Sequence, residues 1–434
     1  MSHNIRWSYD QGEIIGWAED EVYHASGITY AYADRFAYPE VVKNNKEIVK
    51  ATSRSVQVIQ NISGPFILTR SNLPPMKEGI LQLAITTPND LAPDERVPVM
   101  AFIHGGAYLV GTSDILGYRP NRLVMENRVI VVRFNYRMGI LGYSRDKEGQ
   151  QANLGLLDQI AALTWIQRHI ENFGGDKNDV TLFGQSAGAD SVISLLLSLG
   201  TENLFHKAII QSAPFGMRNQ AQQKMEKIVY DMSQEITDEM TIEEILDFQA
   251  ETMKRVKHTH PISSMMPFMP RLGVHPLPDE DEVKTVLRER TSSIPILIGH
   301  TTQEVNFFIR KKPLSTLRRL PGIGFLMQKL LNHISEKVFI DGEETFAHSY
   351  EKCDGQVIRY IIDYGKESNI YRSAHAIELP LLFHAEGFKD FYLLEGSSHE
   401  EIVEDGEKLR YIWATFAKEG TLNEGEIEGL IEIK

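Results

Sequence analysis

The chain has a single cysteine, Cys353, in 434 residues. That excludes an intrachain disulfide and any fold held by cross-links, and it fits a reducing compartment. Long apolar runs are also missing. No window reaches the ~18 consecutive apolar residues of a membrane-spanning helix. The opening stretch, Met1-Ser2-His3-Asn4-Ile5-Arg6-Trp7, has no apolar core of a secretory signal. A cytoplasmic location is therefore expected, and the sequon Asn61-Ile62-Ser63 reads as chance, because glycosylation requires the secretory route. Positive charge is in deficit: 45 Lys and Arg against 59 Asp and Glu leave a net charge of −14. This balance disfavours nucleic acid and anionic membranes as partners. Internal repeats, low-complexity segments and metal-spaced His or Cys clusters are absent, so no metal or cofactor is expected. His258-Thr259-His260 is an isolated pair in a polar stretch and reads as surface.

What remains is 42% hydrophobic and 24% charged, enough for a large core without disulfides. Ile80–Thr87 begins with period-two alternation. Arg96–Ile103, Val129–Phe134, Asp179–Phe183, Ala208–Ser212 and Ile294–Gly299 are short apolar runs of strand length. Between them, Gly155 to Asn172 carries Leu156, Ile160, Leu163 and Ile166 at helical spacing, and Ser191–Leu197 reads as a buried helix. Trp413–Ala417 reads as part of a C-terminal helix. Strands alternating with helices predict an α/β fold with a mostly parallel central sheet flanked by helices. The whole chain, 1–434, reads as one domain. Residues 215–290 are charged, Met-rich and helical, with a capping-box pattern at Thr241-Ile242-Glu243-Glu244, and predict a helical cap-like insertion. Its loop Met265-Met266-Pro267-Phe268-Met269-Pro270 reads either as adaptable pocket lining or as ordinary core.

The most specific local pattern is Val180-Thr181-Leu182-Phe183-Gly184-Gln185-Ser186-Ala187-Gly188-Ala189. A strand, a Gly-x-Ser-x-Gly turn and a helix place a serine on a sharp corner with its hydroxyl above the sheet. Alone, the motif would arise by chance about 0.1–0.2 times in a chain of this length, so the case rests on its context. A serine hydroxyl is a weak nucleophile and requires a base, normally a histidine oriented by a buried carboxylate. In this kind of fold both follow the serine in the chain. Glu304 directly follows the apolar strand ending at Gly299, where ligand sites in open α/β sheets lie. For the base, His399 sits in a polar run and reads as exposed, whereas His375 and His384 are not separated by local chemistry. The oxyanion requires backbone N–H donors. His104-Gly105-Gly106-Ala107 after an apolar strand offers Gly105 and Gly106, joined by Ala187 next to the serine. His104 itself reads as a structural hydrogen-bonding residue.

Across nearly its whole length the chain resembles the type-B carboxylesterase/cholinesterase family of α/β-hydrolases. The resemblance runs, in family order, through Gly27-Ile28-Thr29-Tyr30-Ala31 with Arg35-Phe36, Asn135-Tyr136-Arg137-Met138-Gly139, and Asn153-Leu154-Gly155-Leu156-Leu157-Asp158-Gln159. It continues through Asn172-Phe173-Gly174-Gly175-Asp176, the serine turn, residues 267–278, Glu304 and His375-Ala376-Ile377-Glu378-Leu379-Pro380. It implies a triad of Ser186, Glu304 and His375, so His375 is preferred over His384. It also implies a serine carboxylesterase that acts on small-molecule esters through an acyl-enzyme.

Departures qualify this expectation. Gln185 stands where the family usually has Glu, which removes a negative charge beside the histidine. Glu78-Gly79-Ile80-Leu81 lacks the cysteine of the family's early disulfide, and Val305 replaces the glycine after the acid. The segment between Glu304 and His375 is short. No Trp occurs between residues 18 and 164, which argues against acetylcholine as substrate. The alternatives are a catalytically weak, cholinesterase-like binding protein, or the same triad acting on amide, carbamate or thioester bonds, among which a triad does not choose.

Overall fold

The computed structural model describes residues 4–9, 12–43, 48–61, 73–259, 262–291, 293–309, 320, 322–389 and 391–434. Ile62 and Ser63 of the sequon and His260 lie outside the described residues.

Fourteen strands form one sheet among these residues: β1 (Asn4–Tyr9), β2 (Gly12–Glu19), β3 (Val22–Ala33), β4 (Glu40–Val41), β5 (Ile48–Lys50), β6 (Gly79–Pro88), β7 (Val97–Ile103), β8 (Ile130–Phe134), β9 (Gly175–Gln185), β10 (Lys207–Gln211), β11 (Ile296–Thr301), β12 (Val357–Ile362), β13 (Gly425–Ile427) and β14 (Ile431–Ile433). Their order is β1-β2-β3-β6-β8-β7-β9-β10-β11-β12-β14-β13, with β4 on β3 and β5 on β2. From β8 to β12 every pairing is parallel, and the flanks are antiparallel except for β5, which pairs parallel with β2. The sheet is therefore mixed, with a parallel centre.

The central strands are apolar on both faces, as parallel strands covered on two sides must be. Successive side chains point to opposite faces, and two separate cores result. Val99, Ala101 and Ile103 of β7, Val180 and Leu182 of β9, and Ile296 and Ile298 of β11 enter one core. Met100 and Phe102, Phe183, and Leu297 enter the other. The first core is covered by the helices Leu154–His169 and Ala187–Leu197, and the second by His399–Glu419 through Leu409, Trp413 and Phe416.

The helix expected over 155–172 is α-helical to His169 and finishes as a 3-10 turn, Ile170–Phe173. Its Asp158 accepts from Arg137 Nε at 2.8 Å, from Nη2 through its other oxygen at 2.7 Å, and from the Arg137 backbone N–H at 2.9 Å. Two of the quoted motif segments are thus one buried ion pair locking helix to loop. Within 215–290 lie the helices Gln220–Ser233, Ile242–Val256 and Val283–Thr291, the second opened by a complete capping box at Thr241.

Register sets up the site. Ile103 pairs with Gly184, Gln185 with Gln211, and Gln211 with Gly299. The carboxyl ends of β7, β9, β10 and β11 are therefore level, and the segments after them emerge side by side along one edge.

Candidate active site

Ser186 occupies the corner between β9 and the helix Ala187–Leu197 at φ 60°, ψ −124°. A non-glycine residue pays a steric penalty there, and such strain persists only where the surroundings over-determine it. Here the Ser186 N–H donates to Gln211 O at 2.9 Å, and Ser186 O accepts from Asp190 N at 3.0 Å. Gly188 has a separate requirement: a Cβ would sit 2.1 Å from Ile103 O. The first turn of the helix can approach β7 only without a side chain.

Glu304 opens the 3-10 helix Glu304–Phe308 after β11 and is fully buried. One carboxylate oxygen accepts from Thr301 N at 2.7 Å, and the other makes a very short contact with His375 Nδ1. The His375 N–H also donates to Glu304 O at 3.3 Å. Burial alone would raise the Glu304 carboxyl. The charge and hydrogen bond of His375, the Ser212 hydroxyl and the Thr301 amide outweigh it and hold the carboxyl below its usual range. Glu304 is thus a carboxylate, and the ring nitrogen facing it carries a proton. The other ring nitrogen, Nε2, lies 3.1 Å from the Gln185 side-chain nitrogen.

The rival histidines are elsewhere. His384 is half-buried with Nε2 3.6 Å from Glu386, and His399 begins an exposed helix turn. Neither lines the cavity containing Ser186 and His375. His258 is exposed.

Gly105 and Gly106 follow β7 and face the corner. Gly106 has φ 121°, and a Cβ there would fall 1.7 Å from Val110 O. His104 is buried, donates from Nδ1 to Gly105 O over 2.9 Å, and stacks on Tyr136 at 4.8 Å. Burial lowers it to about 4, against the hydrogen bond to Gly105, so it is a neutral scaffold residue. Behind the loop, the buried Asp190 carboxylate accepts from Tyr108 Oη at 2.7 Å and from Arg218 Nε and Nη2 at 2.9 and 2.8 Å. Three segments are tied there: the Gly-Gly loop, the serine helix and the start of the 215–290 region.

Ser186, His375, Gly105, Gly106 and Gln185 line one cavity enclosing about 920 Å³, open mouth included. Most of its remaining wall is apolar, with Met217, Met265, Met266, Phe307, Phe308 and Phe339 prominent. Met269, from the same loop as Met265 and Met266, is core. Several polar groups on the wall are already engaged. Gln60 exchanges two hydrogen bonds with the Gly111 backbone at 2.8 and 2.7 Å, Gln57 Nε2 donates to Pro74 O, and Thr112 donates to Asn135 at 3.1 Å. Among the described residues no three His, Cys, Asp or Glu side chains come together as a metal site.

Residues 5–318 match the model of the carboxylesterase family. The chain belongs to that family. This carboxylesterase is 33% identical to a probable N-octanoylanthranilate hydrolase of Rhodococcus erythropolis, over 95% of this chain and 92% of that one. It is 30% identical to the para-nitrobenzyl esterase of Bacillus subtilis, over 97% and 91%. A solved PNB esterase structure superposes with a TM-score of 0.76 at 25% identity, covering 98% of this chain and 92% of that one. The protein is a carboxylic ester hydrolase with the α/β-hydrolase fold. Among the described residues no helix is long and apolar enough to cross a membrane.

The carboxylesterase also holds buried ionisable groups that sequence reasoning did not single out. Glu378 accepts from Gln211 Nε2 at 3.3 Å and is raised to about 7, by burial first and the Glu304 charge second. His300 Nδ1 meets Glu343 at 3.0 Å. Burial works against a charged His300, but the hydrogen bond and charge of Glu343 hold it above the ordinary imidazole value, and burial raises Glu343 in turn. The one sequence cue was the spacing of Glu378 after His375. Nothing local marked Glu343.

Proposed function

We propose that the protein hydrolyses uncharged carboxylic esters with apolar acyl and alcohol parts, through an acyl-enzyme on Ser186. The observation that carries the reading is the strained Ser186 corner sharing one apolar cavity with the buried His375–Glu304 pair. Ser186 Oγ attacks the ester carbonyl and passes its proton to His375 Nε2. Glu304 holds the Nδ1–H and stabilises the imidazolium. The N–H groups of Gly105, Gly106 and Ala187 receive the oxyanion. His375 then protonates the departing alcohol, and water activated by the same ring releases the acid. No cofactor enters these steps.

Residues 215–290 act as a cap in this reading, since Met217, Met265 and Met266 come from them into the cavity wall. None of the described lining residues is Lys or Arg. The described wall therefore offers no counter-charge to a carboxylate such as that of an anthranilate, and we favour neutral esters over the amide named for the Rhodococcus relative. With one cysteine, the cytoplasm is the compartment we assign.

Turnover of a p-nitrophenyl ester tests the reading. Ser186→Ala and His375→Ala should each lose about 10⁶-fold in kcat, and Glu304→Gln about 10⁴-fold. Retained turnover in Ser186→Ala would overturn it.

A further inference from the structure

Phe339 reaches the cavity from an unusual turn. Residues Glu336–Ile340 join the helix Ile323–Ser335 to the helix Asp341–Glu351 and form the single π-helical turn among the described residues. A turn of this kind inserts an extra residue into the helical ladder, is rare, and concentrates at functional sites. Here it turns Val338 and Phe339, two consecutive residues, into the protein. The centre of the Phe339 ring lies 5.0 Å from that of His375, with the two planes tilted by 44°. The same ring lines the cavity that holds Ser186.

The turn is held at three points. Before it, Ser335 Oγ accepts from the Val305 N–H at 3.1 Å, next to Glu304. Beside it, the 3-10 turn Phe215–Met217 packs backbone against backbone: a Cβ on Gly216 would fall 2.0 Å from Lys337 O, and one on Gly342 would fall 2.1 Å from Phe215 Cβ. After it, the buried Glu343 meets His300 Nδ1 at 3.0 Å and ties the following helix to β11. None of these clamping residues lines the cavity. What they deliver to it is the placement of Phe339.

A clamped ring and a methionine behave differently as wall. The unbranched, flexible side chains of Met265 and Met266 refill around groups of different size. A ring on a fixed backbone admits a group or rejects it, because close-packed atoms yield little. In the proposed mechanism His375 gives its proton to the departing alcohol, so the alcohol part of the ester passes beside the His375 ring, where Phe339 stands.

We propose that Phe339 is a specificity-determining residue that limits the size of the alcohol part of the ester, an inference that rests on the Ser186–His375 reading of the cavity.

Two ester series test this on the full chain. Butyrates of methanol through octanol vary the alcohol, and p-nitrophenyl acetate through decanoate vary the acyl part. Each methylene that gains a buried site is worth about fourfold in kcat/KM. Phe339→Ala should therefore raise the ratio of hexyl to methyl butyrate about tenfold or more, with a much smaller change in the ratio of decanoate to acetate. Phe339→Leu keeps a buried apolar group, should move the alcohol ratio the same way by less, and decides the matter if Phe339→Ala does not fold. An alcohol ratio unaltered by substitution of Phe339 would overturn the proposal, whatever the overall loss of activity. So would a change in the acyl series as large as that in the alcohol series. Ser186→Ala separates the two claims: an inactive Ser186→Ala with an unaltered alcohol ratio in the Phe339 variants rejects the Phe339 wall alone, whereas turnover by Ser186→Ala rejects both.

Discussion

The side-chain amide nitrogen of Gln185 lies 3.1 Å from Nε2 of His375, the ring nitrogen opposite the one engaged by Glu304. With the proton on Nδ1, Nε2 carries a lone pair and accepts from the amide. Gln185 thus engages the atom that takes the Ser186 proton in the proposed mechanism. Once Nε2 is protonated, two donors face each other unless the amide turns its oxygen inward. Gln185→Glu replaces that donor with a carboxylate, which favours imidazolium. The acid limb of kcat/KM should move to higher pH by about one unit or more. A pH–rate profile unchanged by the substitution contradicts this account.

Glu378 gives a prediction about stability. Its carboxyl is raised to about 7 in the fold, against an ordinary value of 4.5. The folded protein therefore holds a proton that the unfolded chain releases between those values. Its stabilising contribution is complete below pH about 4.5 and is lost as pH rises through about 7. Glu378→Gln stays neutral throughout. The stability gap in favour of the variant should widen from pH ~5 to ~8, by on the order of 3 kcal/mol. Urea unfolding at the two pH values measures it, and a gap independent of pH would show that Glu378 ionises normally.

The parts of this site legible in the sequence are those that follow short apolar runs of strand length. The apolar runs of β7, β9 and β11 put the Gly-Gly loop, Ser186 and Glu304 at the ends of buried strands, and level registers bring those ends together. The base was different. His375 and His384 each sit in an apolar neighbourhood, and only the path of the chain after β12 brings His375 to Glu304 and leaves His384 beside Glu386. Likewise, the burial of Glu343 against His300 depends on a helix packing on a distant strand. No local pattern encodes that.

The Gly-Gly loop should be intolerant of any side chain at its second position. Gly106→Ala would set a Cβ 1.7 Å from Val110 O at φ 121°, displacing the donors from the oxyanion. Loss of one such donor costs about 10²–10³ in kcat, and a loss of that size is expected with circular dichroism unchanged. Turnover within a few-fold of wild type would remove Gly106 from the oxyanion site.

The tie behind the loop is predicted to matter for stability. Arg218→Ala leaves the buried Asp190 carboxylate without its counter-ion, although Tyr108 still donates to it. Breaking a buried pair by removing one partner costs about 3–5 kcal/mol, and denaturant unfolding should register a loss of that order. Arg218→Ala/Asp190→Ala should recover part of it, because the uncompensated charge goes too. A double variant less stable by the sum of both single losses would contradict a coupled pair.

The most direct test of the central claim is the intact mass of the protein after a fluorophosphonate, followed by peptide mapping. The account predicts one adduct per chain, on the peptide containing Ser186, and none on Ser186→Ala protein. An adduct on another residue, or equal labelling of the Ser186→Ala variant, would contradict it.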